Sequence, residues 1–206
     1  MGRPIIFGGS HGFKVRETGN RPITSACAIY NPKDQIWNLL HAMGQPRADH
    51  TIIKKDKDTF WILGKKQHIG IECYHFLLPF FFDSFSCLGG FTAPGQTTAT
   101  TEIYSLKNDT SQGGMTSQGD NIPFGMAGHC SATVEESKEY AILGGIGQDG
   151  QSLNNFHMYQ ETTGQWSRKR SMPQARKQFA CGMVETPDGP RLMVAGGYAN
   201  SENERK

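Results

Sequence analysis

The sequence predicts an all-β protein built from repeated, small antiparallel sheets, and three observations support this prediction. The 206-residue chain contains 25 glycines and 10 prolines, which suits short strands joined by tight turns better than long helices. Hydrophobic strands that end in two glycines recur along the chain. Two further elements follow these strands in the same order, so the fold is expected to repeat.

The first repeated element is a hydrophobic strand that ends in a glycine pair. It occurs as PIIFGG, YAILGG and RLMVAGG, with CLGG as a degraded copy. A glycine pair at a strand end permits backbone angles, and a close approach to a neighbouring sheet, that a Cβ atom would prevent. The pairs are therefore expected to be structural: Gly8 and Gly9, Gly89 and Gly90, Gly144 and Gly145, Gly196 and Gly197.

The second element places a tyrosine at the end of a short strand, in the form of Tyr30, Tyr104 and Tyr159. In two copies a polar turn follows, and Trp37 or Trp166 lies seven residues after the tyrosine. These side chains supply the apolar area that holds one sheet against the next. The middle copy departs from the pattern because it lacks the tryptophan.

The third element occurs as MGQPRADHTII, PFGMAGHCSATV and MPQARKQFACGMV. It places His50 and His129 at the position where the last copy has Phe179. A position that accepts either His or Phe favours packing over catalysis or metal binding. Arg47 and Arg176 recur in the same way, which favours a structural role such as bonding loop carbonyls between sheets.

Together the three elements resemble the kelch repeat, in which a hydrophobic strand with a double glycine is followed by a Tyr and, about seven residues later, a Trp. The resemblance covers nearly the whole chain except residues 65–89. It implies an incomplete β-propeller of about three four-stranded antiparallel blades and the first strand of a fourth. The expected repeats lie near residues 4–64, 89–139 and 140–190, with a further start at 191–199. The chain would then be a fragment, or a truncated product, of a longer kelch protein.

The spacing of the glycine pairs isolates one unusual segment. Gly144 and Gly196 are 52 residues apart and Gly89 and Gly144 are 55 apart, whereas Gly8 and Gly89 are 81 apart. The excess of 25 lies at residues 65–89, a segment rich in phenylalanine that contains two of the five cysteines. The repeat alone does not require this segment.

Three explanations of residues 65–89 remain open. The segment can be a long functional loop. It can also be a metal or redox site, although its candidate ligands follow no recognised zinc spacing: His68, Cys73, His75 and Cys87. Finally, it can be a translated intron or a gene-prediction error. Gly64-Lys65 can be encoded with GTAAG and Leu88-Gly89 with a closing AG, and removal of 25 codons would create TFWILGGF and shorten the spacing of 81 to 56.

Several classes of function are disfavoured by the sequence. It contains no nucleophile elbow, phosphate-binding loop or zinc-protease motif, so no catalytic residue, metal or cofactor is expected. A net charge of +2 with interspersed signs disfavours nucleic-acid binding. No apolar stretch reaches the roughly 18 residues of a membrane helix. The five cysteines are irregularly spaced, which indicates reduced thiols and a cytoplasmic location.

The resemblance implies a protein–protein interaction module, such as a substrate adaptor or a scaffold. In kelch propellers partner proteins dock on one face made of inter-strand loops, and residues just after the double glycine can reach that face. The expected partner-binding residues are therefore Phe91, Ile146, Gln148, Tyr198 and Asn200. Two alternatives remain: a kelch-type enzyme, either a sugar oxidase or an isomerase, and a non-functional truncated product.

Overall fold

A computed structural model describes residues 5–10, 22–56, 59–63, 84–88, 91–93, 95–105, 115–134 and 137–199. These residues form strands, turns and connecting segments, and no helix lies among them. The prediction of an all-β protein is therefore confirmed. No helix within the described ranges is long and apolar enough to cross a membrane.

The described chain contains sixteen strands, numbered in sequence order. They are β1 (Ile5–Ser10), β2 (Ile23–Asn31), β3 (Ile36–Leu40), β4 (Thr51–Asp56), β5 (Thr59–Leu63), β6 (Ser84–Leu88), β7 (Phe91–Ala93), β8 (Gln96–Thr97), β9 (Thr101–Ser105), β10 (Met115–Gly119), β11 (Cys130–Val134), β12 (Glu139–Leu143), β13 (Phe156–Gln160), β14 (Gln165–Arg168), β15 (Ala180–Thr186) and β16 (Gly189–Ala195).

These strands form several small sheets. The first sheet has the order β1-β2-β3, and the third has the order β11-β12-β13-β14. The second sheet contains β10, β9, β5, β4 and β6, and β6 also pairs with β9 and with β5. Two hairpins, β7-β8 and β15-β16, complete the described structure. All pairings between these strands are antiparallel except that of β5 with β6.

The sheets and the sequence repeats have different boundaries. Each sequence repeat begins near a glycine pair. In the third sheet this pair follows the second strand, β12. Strand β11 therefore lies before residue 140, where the third repeat is expected to begin. Strand β11 nevertheless pairs with β12 along its full length. The first sheet corresponds to the last three strands of the third, because Tyr30 faces Trp37 there as Tyr159 faces Trp166.

Among the described residues, two apolar layers lie against the third sheet, one on each face. Alternate residues of β12 point to opposite faces, as expected for a strand. Tyr140 and Ile142 pack in one layer with Ile53 of the second sheet. Ala141 and Leu143 pack in the other layer with residues of the β15-β16 hairpin. The second sheet, the third sheet and the β15-β16 hairpin therefore stack face to face in this order.

One disulfide bond joins two of the stacked units. Cys130 on β11 and Cys181 on β15 are bonded, with their Cα atoms 6.0 Å apart. The prediction of reduced thiols is therefore wrong for this pair. The two cysteines belong to different repeats, and their proximity depends on how neighbouring units stack, so the spacing of cysteines did not indicate it. Cys27 is a free cysteine and is buried.

Candidate functional site

The glycine pair after β12 lies at the junction between consecutive repeats. Gly144 and Gly145 have φ angles of +57° and +94°, which favour glycine. A Cβ atom on Gly144 would lie 2.6 Å from the carbonyl oxygen of Arg176, in the segment before β15. One on Gly145 would lie 2.6 Å from the carbonyl oxygen of Ala127, in the preceding repeat. The pair thus lets three segments of backbone meet.

The glycine pair Gly8 and Gly9, within β1, shares the contacts with an arginine carbonyl. Gly8 has a φ of +52°, and a Cβ atom there would lie 2.7 Å from the carbonyl oxygen of Arg47. The amide of Gly9 donates to this carbonyl over 2.8 Å, and the amide of Gly145 donates to the Arg176 carbonyl over 2.8 Å. In both pairs the first glycine is therefore packed against an arginine carbonyl, and the pair is a recurring structural junction.

We expect Gly144→Ala to be more destabilising than Gly196→Ala. Both glycines have positive φ, so each substitution costs about 1–2 kcal/mol in backbone strain. Only Gly144 is packed, whereas a Cβ atom on Gly196 would meet nothing within 4 Å. The Gly144→Ala variant, which is overpacked, should lose about 1 kcal/mol more of its free energy of unfolding. Urea unfolding of both variants measures the difference, and equal losses would contradict the packing role of Gly144.

The residue directly after three of the glycine pairs forms a backbone bridge. Antiparallel bridges join Ala48 to Phe91, Ala127 to Ile146 and Lys177 to Tyr198. In all three, each amide donates to the other residue's carbonyl, over 2.8 to 3.1 Å. Three of the predicted partner-binding residues therefore hold one equivalent backbone position: Phe91, Ile146 and Tyr198.

The side chains at this position differ in exposure. Phe91 is only 9% exposed, so it does not provide the exposed aromatic group that the sequence suggested. Ile146 is half-buried. Tyr198 is 64% exposed and is available on the surface. The sequence pattern indicates the position but not its burial, because burial depends on the neighbouring loops.

Gln148 links two successive loops. Its side-chain oxygen accepts hydrogen bonds from the Thr97 amide over 3.0 Å and from Thr97 Oγ1 over 2.9 Å. Its side-chain nitrogen donates to the Gly95 carbonyl over 3.2 Å. The loop after one glycine pair is therefore held against the loop of the preceding repeat. The two loops form one continuous surface.

A buried ion pair holds the segment between β3 and β4 against β9 of the second sheet. Arg47 is fully buried, and its Nε lies 3.0 Å from Oε1 of Glu102 on β9. The guanidinium also donates to the carbonyl and the hydroxyl of Thr100. Glu102 in turn accepts hydrogen bonds from the amides of Gly44 and Gln45. The repeat pattern predicts a structural role for Arg47 but not for Glu102, whose only signal in the sequence is a carboxylate within TEIYS.

Arg176 occupies the position of Arg47 in the last repeat and makes weaker contacts. Its Nη1 donates to the carbonyl of Gly196 over 2.9 Å, and this hydrogen bond is exposed. Both arginines therefore bond a carbonyl in a neighbouring segment, as the sequence suggested. Arg47 differs from Arg176 in its buried carboxylate partner.

His129 is a packed residue with a neutral ring. Burial lowers its pKa to about 3. Neither ring nitrogen has a hydrogen-bond partner within the described part of the chain. Its Cβ atom lies against Gly145 at the junction described above. These features favour packing over catalysis, and no group of three or more His, Cys, Asp or Glu among the described residues could hold a metal ion.

We expect His129→Phe to protect the protein from acid. The unfolded chain binds a proton on this histidine below about pH 6.5, whereas the folded protein binds it only near pH 3. Stability should therefore fall by about 1.4 kcal/mol per pH unit as the pH decreases through this window. The variant lacks this loss of stability at low pH. Its free energy of unfolding relative to that of the wild type should therefore be about 3 kcal/mol higher at pH 4.5 than at pH 7.5. Urea unfolding of both proteins at both pH values measures this change. A difference between variant and wild type that is the same at pH 4.5 and pH 7.5 would contradict the buried neutral ring.

Some predicted residues cannot be placed. Gly89, Gly90 and Asn200 lie outside the described residues, as do the candidate ligands His68, Cys73 and His75. Gly197 follows β16 and precedes the bridge at Tyr198, and Cys87 lies in β6. Tyr104 lies in β9, where it faces Phe85 on one side and Thr116 on the other.

Comparison with known proteins supports the fold alone. No protein-family model matches the chain, and no curated protein matches it. A solved structure, described as "Structure of YjhT", matches with a TM-score of 0.64 and 15% sequence identity. The match covers 96% of this chain and 56% of that chain, so the present chain spans about half the length of that structure. The chain is therefore similar in fold to that structure.

Proposed function

We propose that the chain is a protein–protein interaction module: a partial kelch-type β-propeller that binds a partner protein through the loops after its glycine pairs, as a substrate adaptor or scaffold. The observation that carries the proposal is the joined loop surface. Gln148 holds two successive loops together, and Tyr198 is exposed at the equivalent position of the next repeat.

The stacking of the sheets supports a propeller-like arrangement. The junctions at Gly8 and Gly144 contact the same two kinds of neighbour, a methionine methyl group and an arginine carbonyl. The tyrosine–tryptophan pairs also recur, with ring centroids 5.3 Å apart in the first sheet and 5.1 Å apart in the third. Repeated contacts of this kind build units that stack on their neighbours.

The chemistry of the loop surface favours binding over catalysis. An exposed tyrosine supplies a large apolar area and a polar hydroxyl, which is typical of residues that dominate protein interfaces. The buried ionisable groups described above instead serve packing. Glu102 is paired with Arg47, and burial keeps His129 neutral.

Affinity capture with matched variants tests the proposal. The immobilised chain is used to capture partners from a cell extract, and each candidate is purified and its Kd measured directly. Tyr198→Ala should weaken binding about tenfold or more, as for an interface hot spot. Thr162→Ala is the control, because Thr162 is exposed and lies in the turn after β13, at the opposite end of the third sheet from the glycine pair.

The control should change the Kd less than about twofold. A partner that binds the Tyr198→Ala variant as tightly as the wild type would contradict the proposed binding surface. So would a partner whose binding is lost only in the Thr162→Ala variant.

A further inference from the structure

One edge of β16 has no neighbouring strand in the part of the chain that the structure describes. Strand β16 pairs with β15 alone, in a two-stranded sheet. The equivalent strands β1 and β12 each have an antiparallel neighbour on this edge, β2 or β13. A strand edge of this kind presents a row of N–H and C=O groups, to which another chain can add a strand.

Arg176 lies at the end of β16 and has a donor that is not used. Its Nη1 donates to the carbonyl of Gly196, directly after the strand, and its Nη2 donates to Oε1 of Gln174 over 3.4 Å. The Nε atom is buried and has no hydrogen-bond partner among the described residues. A buried donor without a partner is unfavourable, so the site favours an acceptor that reaches Nε.

The equivalent arginine, Arg47, shows which acceptor fits. Its Nε donates to the carboxylate of Glu102 over 3.0 Å. Glu102 also accepts from the amide of Gln45, two residues before the arginine, and Gln174 holds the same place in the last repeat. The residue before Gln174 is a proline, so the second amide donor of the Arg47 site has no counterpart. A carboxylate at Arg176 would therefore receive the guanidinium Nε and one backbone amide.

The repeat also gives the place of this carboxylate along the strand. Glu102 and His157 each precede the tyrosine of their repeat by two residues. His157 of β13 faces Ile142 of β12, which precedes the glycine pair by two residues as Val194 of β16 does. In a strand added to β16 in the same register, the residue opposite Val194 therefore holds the position of Glu102.

Other copies of this chain do not offer the carboxylate. The residue two places before the repeat tyrosine is Ala28 on β2, Glu102 on β9 and His157 on β13. Of these three residues only Glu102 is acidic, and it is already paired with Arg47. A cationic side chain with a buried donor beside a strand edge instead fits an extended segment of another protein that contains an acidic residue.

We propose that the edge of β16 and Arg176 form a docking site for an extended, acidic segment of the partner protein. The segment adds one antiparallel strand to β16 and places a glutamate opposite Val194, where its carboxylate accepts a hydrogen bond from Arg176 Nε. Backbone hydrogen bonds supply affinity, and the arginine–carboxylate pair supplies specificity. This inference rests on the proposed function and adds the chemistry of the segment that the partner presents.

Binding of a defined peptide tests the site in the full-length chain. The fluorescein-labelled peptide ATTEIYS has the sequence of residues 99–105, which includes Glu102 and the repeat tyrosine. The control peptide ATTQIYS has an amide in place of the carboxylate. Fluorescence anisotropy should give a Kd about tenfold or more lower for the first peptide, as expected for a charge-assisted hydrogen bond. Equal Kd values, or no binding of either peptide, would overturn the inference.

Two variants of equal charge change assign this preference to Arg176. The Arg176→Met variant should bind both peptides with the same Kd, and methionine fits the position because Met126 occupies it in the middle repeat. The Lys33→Met variant also loses one positive charge, but Lys33 is exposed in the turn between β2 and β3. It should keep the full preference. A preference that survives Arg176→Met, or that Lys33→Met removes equally, would overturn the inference.

Disulfide trapping tests the register. Met193 of β16 is 51% exposed, and the register of β12 with β13 places the residue after the glutamate opposite it. At peptide concentrations below the Kd, the Met193→Cys variant should form a mixed disulfide with ATTECYS in about tenfold higher yield than with ATTQCYS, as peptide mass spectrometry measures. Thr162→Cys, in the exposed turn after β13, should react equally with both peptides. Equal yields at Met193→Cys would overturn the inference.

Failure of this inference is distinguishable from failure of the proposed function. A captured partner whose binding requires Tyr198 but is unchanged by Arg176→Met would contradict the docking site alone. A peptide preference that depends on Arg176, together with a partner that binds the Tyr198→Ala variant as tightly as the wild type, would contradict the loop surface alone.

Discussion

Replacing Arg47 with methionine should reduce the free energy of unfolding by about 3–5 kcal/mol, because the buried carboxylate of Glu102 loses its cation. Methionine itself suits this position, since Met126 occupies the equivalent place in the middle repeat and is fully buried there. The loss therefore reports the unpaired carboxylate more than the change of side-chain shape. Urea unfolding measures it.

Arg176→Met is the matched control for this substitution. Arg176 occupies the same repeat position, and its hydrogen bond to the Gly196 carbonyl is exposed. Arg176→Met should reduce the free energy of unfolding by about 1 kcal/mol. Adding Glu102→Gln to Arg47→Met should recover part of the loss, since a neutral amide costs less to bury and its oxygen still accepts from the Gly44 amide. Equal losses for the two arginine variants would contradict the special role of the Arg47–Glu102 pair.

Reduction of the Cys130–Cys181 bond should lower stability by a similar amount. The bond closes a loop with a sequence separation of 51 residues. Loss of this constraint raises the entropy of the unfolded chain, which lowers the free energy of unfolding by about 4 kcal/mol in the loop-entropy account. The urea midpoint of the wild-type protein should therefore fall when a phosphine reductant is added. The Cys130→Ala/Cys181→Ala variant should have a low midpoint that the reductant does not change.

Cys27→Ala is the control for the disulfide. Burial raises the pKa of the Cys27 thiol to about 12, so this group stays protonated and unreactive in the folded protein. The Cys27→Ala variant should remain as sensitive to the reductant as the wild type. A wild-type midpoint that is the same with and without reductant would show that the bond does not stabilise the fold.

Local signals in the sequence were sufficient to predict the all-β class. Glycine pairs mark strand ends, and the Tyr and Trp spacing marks a strand, a turn and a second strand, as in the pairing of Tyr159 with Trp166. These features depend on residues close together in the sequence. They also revealed the excess of 25 residues in the spacing of the glycine pairs.

Features that depend on contacts between repeats were not predictable in the same way. The partner of Arg47 lies 55 residues away at Glu102, and the partner of Cys130 lies 51 residues away at Cys181. The burial of Phe91 likewise depends on the loops around it. A repeat pattern gives the equivalent positions in successive units, but the side chains that meet across units follow from how the units stack.

The first sheet presents an apolar face whose counterpart in the third sheet is covered. Ile6 is 40% exposed, whereas Ile142 at the equivalent position is fully buried against the second sheet. Trp37 and Leu39 lie on the same face and are also exposed. The face of the second sheet that covers Ile142 is not the counterpart of the face on which Ile142 lies. A contact of this kind therefore joins two unlike faces. Association through the first sheet would therefore have a direction, and it would add molecules in a row or close a ring instead of forming a two-fold dimer.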